Sequence, residues 1–74
     1  MTWFLRADEQ PDGRWTCRLG SLELGTFPNL VLALYNLVET AHECGGRENF
    51  KFHLHHRDGR LEIRAATDPV PGEE

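Results

Sequence analysis

An α+β fold, in which one helix packs across one face of a five-stranded, mostly antiparallel sheet, follows from three features of this 74-residue sequence. Only the segment from Asn29 to Cys44 repeats its apolar residues at helical spacing, and Gly45-Gly46 closes it. On either side of it, apolar residues alternate with polar ones, the pattern of strands that bury one face. Between the alternating runs stand Pro11-Asp12-Gly13, Gly20-Ser21 and Asp58-Gly59, which have the composition of tight hairpin turns. The element order is β-β-β-α-β-β. Residues 1–66 form one domain, and 67–74 form an acidic tail with no periodicity, expected to be mobile.

In the first strand Met1, Trp3, Leu5 and Ala7 supply the core face. A three-residue Pro11-Asp12-Gly13 loop then pairs Trp15 with Glu9, Cys17 with Ala7 and Leu19 with Leu5, so that the apolar faces coincide. The same register sets Phe4 across from Gly20 on the outer face. The Gly20-Ser21 hairpin places Leu19 opposite Leu22, Cys17 opposite Leu24, and Arg18 opposite Glu23 as a charge pair. Asn29 is the preferred helix N-cap, with Thr26 followed by Pro28 as the alternative. Leu30, Val31, Leu34, Leu37, Val38 and Ala41 make the buried stripe, with Ala33 and Cys44 at its edge. In the last hairpin a two-residue Asp58-Gly59 loop would pair Leu54 with Ile63 and Phe52 with Ala65. Phe50, Phe52, Leu54, Leu61 and Ile63 then face the core, and Lys51, His53, His55, Arg57, Arg60, Glu62 and Arg64 face outward. A crossover through the helix docks the fourth strand parallel to the first and gives the sheet order 3-2-1-4-5.

Composition narrows the function. No apolar run reaches the roughly 20 residues needed to span a bilayer, and the N-terminus lacks the features of a signal peptide, so a cytoplasmic protein is expected. Cys17 and Cys44 are too few for a disulfide framework, lack zinc-ribbon spacing, and both fall on expected core faces. The net charge is −4, distributed as −3 over residues 1–46, +2 over 47–64 and −3 over 65–74. An acidic whole disfavours binding that rests on phosphate neutralisation, although the basic middle segment keeps that option open.

Two resemblances are carried by short motifs. Gly25-Thr26, a cap, and Ala33-Leu34-Tyr35-Asn36-Leu37 after a strand meander resemble the corresponding segment of HicB-like antitoxin domains, although that family's acidic first helical turn is here Leu30-Val31-Leu32. This likeness implies a β-β-β-α-β core, a toxin-neutralising partner and oligomerisation. Phe52-His-Leu-His-His-Arg-Asp-Gly-Arg-Leu61 is similar to the ending of a small bacterial α+β family of unknown function. Neither resemblance transfers a catalytic residue.

Candidate chemistry is sparse. His53 and His55 share a strand face with Glu62 opposite His55, but spacing identifies no third strong ligand, so no metal or cofactor site is assigned. Ser21 lies in a tight turn, both cysteines are expected to be buried, and no glycine-rich loop opens a helix, so the chain reads as non-enzymatic. Leu32 and Tyr35, at i and i+3 on the polar side of the helix, are candidate partner-binding residues of an interaction module that self-associates or joins a complex. An exposed sheet edge is a second route to a partner. The alternative is RNA or single-stranded nucleic-acid binding by the open face through Phe4, Arg18, Lys51, His53 and Arg64. A charged outer face that only confers solubility is the bland counterpart to both.

Overall fold

Alternation of apolar and polar side chains, interrupted by turns that need a left-handed glycine, produces each strand of the sheet. A computed structural model of the chain describes residues 2–71; Met1, assigned above to the core face, and tail residues 72–74 lie outside the described residues. The strands are β1 (Trp3–Glu9), β2 (Trp15–Leu19), β3 (Leu22–Phe27), β4 (Phe50–His55) and β5 (Leu61–Ala65), and the helix is α1 (Leu30–Glu43). A short 3-10 turn, Arg47–Asn49, leads into β4. The sheet order is β3-β2-β1-β4-β5, as expected, with β1 and β4 parallel and the other neighbours antiparallel.

The first hairpin has the register read from side-chain parity, with Ala7 opposite Cys17 and Glu9 opposite Trp15. Gly13, at φ 89, donates its N–H to Gln10 O, and the Arg14 N–H donates to the Asp12 carboxylate. This is a type I turn closed by a glycine bulge. Between β2 and β3 the pairing shifts by one residue at Cys17/Arg18. Cys17 therefore faces Gly25 rather than Leu24, while Arg18 still meets Glu23.

Asn29 caps α1, its side-chain oxygen accepting the Leu32 N–H at 3.0 Å. The helix packs on β2, β3 and β1, burying Ala33, Leu34, Leu37 and Ala41. Against them lie Leu5, Ala7, Trp15, Cys17, Phe50, Phe52 and Leu54. Cys44 does not join this core: it is the helix C-cap and is exposed, because the chain leaves the helix there through Gly45 and Gly46, both at positive φ. Trp3 pairs with Phe50 on the helix side of the sheet yet stays 57 % exposed at the first position of its strand.

The core also takes in two residues that follow β5. Ala66 is fully buried, and Val70, from the segment assigned above to the tail, is 1 % exposed. Arg47 fastens this segment by donating from its guanidinium to the Ala66 and Asp68 carbonyls, and Arg64 donates to Pro69 O. Among the described residues no helix is long and apolar enough to cross a membrane.

Candidate interaction surface

The β4–β5 hairpin decides which side chains reach the open face of the sheet. Its loop has three residues, not two. The His56 N–H donates to Arg60 O, the Gly59 N–H donates to His56 O, and Gly59 takes φ 92. A two-residue type I′ loop would also require Asp58 at positive φ, and no described residue other than glycine has one. Asp58 instead accepts the Arg60 N–H at 2.9 Å, repeating the contact that Asp12 makes with Arg14 in the first hairpin. The register therefore differs by one residue from the expected one: His53 faces Ile63, His55 faces Leu61, Leu54 faces Glu62 and Phe52 faces Arg64.

A one-residue shift inverts a strand. Leu61 and Ile63, expected in the core, stand on the open face at 50 % and 57 % exposure. Glu62 and Arg64, expected on the open face, lie on the helix side. Glu62 meets His56 there at 3.1 Å, where the Trp15 ring packs edge-on against the imidazole. Glu9 ties the same corner together, accepting the Arg57 N–H and lying 3.5 Å from the Arg57 guanidinium.

The candidate nucleic-acid residues Phe4, Arg18, Lys51 and His53 share the open face, whereas Arg64 is on the opposite one. Phe4 packs on His53 with ring centroids 4.3 Å apart. Arg6 and Arg18 are engaged rather than free. Asp8 bonds Arg6 at 2.9 Å and lies 3.8 Å from Arg18, which also approaches Glu23 at 3.6 Å. The hydrogen bond that Arg6 donates to the Asp8 carboxylate, followed by the charge of that carboxylate, raises the Arg6 pKa. Among the described residues no group of three or more His, Cys, Asp or Glu side chains is placed to hold a metal, and no cavity opens.

Burial first, then the neighbouring His55 and Arg6, holds His53 below the ordinary imidazole range, and its Nε2 is buried with no hydrogen-bond partner among the described residues. Because its folded pKa is depressed, the unfolded chain binds the proton more readily. Stability contributed by neutral His53 is present above the ordinary value of 6.5 and is lost as pH falls from there through the lower folded value. Denaturant midpoints measured at about pH 7.5 and pH 5.5 should therefore differ less in His53→Gln than in the parent. An equal drop in both proteins would assign the acid sensitivity to other groups.

Leu32 and Tyr35 lie where the helical period places them, exposed on the side of α1 away from the sheet, at 44 % and 40 %. Parity missed Leu61 and Ile63 as surface residues. The recurrence of Asp-Gly-Arg in Gln10-Pro-Asp-Gly-Arg14 and His56-Arg-Asp-Gly-Arg60 was the available signal, because the two turns fold alike. Among known proteins, no family model, no curated protein and no solved structure matches this chain.

Proposed function

We propose that this protein is a small non-enzymatic protein-interaction module, self-associating or a subunit of a complex, that docks through the β5 side of its open sheet face. One observation carries the reading: Leu61 and Ile63 present adjacent aliphatic side chains to solvent on that face, on the last strand of the sheet. Burial first and Asp8 second push the Cys17 thiol up to about 12, which suits a core side chain beneath this face. The toxin-neutralising role implied by the HicB resemblance is one form such a module takes.

Leu61→Thr/Ile63→Thr keeps strand propensity and removes the aliphatic surface. In solution this variant should lose self-association and capture of a native partner by chemical cross-linking, while Leu32→Ser/Tyr35→Ser retains both. Loss in the helix variant alone would move the docking surface to α1; retention in both would sink the reading. Nucleic-acid binding is the second reading, favoured by the half-exposed Phe4 ring on His53 beside Lys51. It expects low-salt binding of single-stranded RNA that Phe4→Ala/Lys51→Ala weakens, and it fails if the parent protein binds none.

A further inference from the structure

We propose that the partner is a second copy of this chain, joined by antiparallel pairing of β5 with β5 about a two-fold axis at Ile63. The proposal rests on the interaction reading above and adds its partner, register and symmetry. β5 is the last strand of the sheet and pairs only with β4 among the described residues. His56 N–H bonds Arg60 O and Ala66 N–H bonds Phe50 O, both in the β4–β5 register. In an antiparallel ladder such bonds recur at every second residue. Arg60, Glu62, Arg64 and Ala66 therefore turn their main-chain groups toward β4, whereas Leu61, Ile63 and Ala65 turn theirs to the open edge.

The strand is complementary to itself. With Ile63 on the axis, Ile63 faces Ile63, Leu61 faces Ala65, and Glu62 faces Arg64 on both sides of the axis. The outward main-chain groups then meet one another. The Ala65 carbonyl already accepts the Asp68 N–H, so the ladder expected is roughly four bonds, from the Ile63 pair and from Ala65 N–H to Leu61 O. Glu62 and Arg64 form the closer, non-hydrogen-bonded pairs, with Cα atoms about 4.5 Å apart, where side-chain charge has its largest effect. On the open face the same pairing places the exposed aliphatics against each other across the junction.

Charge also selects the register. A slip of one residue sets outward main-chain groups against inward ones. A slip of two brings Glu62 against Glu62 or Arg64 against Arg64, each a like-charge pair. The other edge, β3, is interrupted by the register shift beside Gly25, a common way of blunting an edge. An isologous two-fold contact of this kind closes at two copies and does not propagate into a fibre.

Sedimentation of the full chain tests this, with circular dichroism verifying that each variant is folded. The parent is expected to dimerise at micromolar concentrations. Glu62→Arg and Arg64→Glu each place like charges in both cross-strand pairs and should weaken the dimer roughly ten- to hundredfold. The double exchange Glu62→Arg/Arg64→Glu should restore it. Glu62→Arg loses the Glu62–His56 contact, Arg64→Glu loses the Arg64–Pro69 contact, and the double variant loses both, so rescue of the dimer does not come from regaining either. Should a variant fail to fold, amide exchange of the parent decides: Ile63 and Ala65 are expected to exchange more slowly as protein concentration rises. A parent that remains monomeric, a dimer indifferent to the single charge reversals, or exchange independent of concentration would overturn the proposal. The interaction reading would still stand if Leu61→Thr/Ile63→Thr abolished capture of a different protein.

Discussion

Phe52→Ala is expected to lower stability by about 3–5 kcal/mol, the cost of deleting a buried ring and leaving the space unfilled. Phe52 is 1 % exposed on β4, faces Leu5 across the parallel ladder, and belongs to the same core as Leu34 and Leu37. At about 0.05–0.15 kcal/mol per residue, a chain of 74 residues has roughly 4–11 kcal/mol in total. The loss would therefore leave a large fraction unfolded at room temperature or lower the thermal midpoint by roughly 12 °C or more. Ile63→Ala is the informative control. With the three-residue loop, Ile63 is half out of the protein, and in the monomer its truncation should fall within about 0.5 kcal/mol of neutral. With a two-residue loop, Ile63 would be a core residue and the two substitutions would cost alike. Urea denaturation of the two variants at low protein concentration separates these cases, and comparable losses would refute the observed β4–β5 register.

That control marks the boundary of what alternation alone decides. Leu61-Glu62-Ile63-Arg64 states that β5 has one apolar and one charged face, but not which of them meets the core; loop length settles that, and Asp-Gly suits both a two- and a three-residue loop. The first hairpin was legible because only the three-residue loop aligned Trp15, Cys17 and Leu19 with Leu5 and Ala7. The helix was legible because Leu34, Leu37 and Ala41 recur at its period and Asn29 and Gly45 mark its ends. Strand order followed from that, since a helix returning across the meander leaves β4 parallel to β1. Of the candidate surface, Phe4, Arg18, Lys51 and His53 keep the open face assigned to them because β1, β2 and β4 keep their parity. Arg64 left it, and Leu61 and Ile63 entered it, through a single residue of slip. The bulge at Cys17/Arg18 lies beside Gly25, and a glycine inside a strand was the one sign of it that the sequence carried. Val70 was invisible for another reason: an isolated apolar residue between Pro69 and Pro71 belongs to no period, and only the packed structure shows that it is buried.

Val70→Asp is accordingly expected to destabilise the fold by about 3 kcal/mol or more, although it lies beyond the last strand. A carboxylate placed where the side chain is 1 % exposed must either lose its hydration without an opposite charge or take up a proton to stay neutral. The neighbouring cations do not offer an easy pairing. Arg47 is already bonded to the Ala66 and Asp68 carbonyls, and Arg64 to Pro69 O, so pairing the new charge would break the bonds that hold the segment down. The cheaper escape is for residues 67–71 to undock, which would expose the apolar surface that Val70 covers and release both arginines to water. Val70→Ala, which adds no charge, should cost less, within about 1–3 kcal/mol. Asp68→Ala removes only an exposed side chain and, with its main-chain bonds intact, should be nearly neutral. Chemical denaturation of this series checks the docking of the segment directly: a neutral Val70→Asp would show that residues 67–71 do not contribute to the core, whereas the order Asp, then Ala, then the Asp68 variant makes the C-terminal segment the cover that completes the β4 side of the sheet.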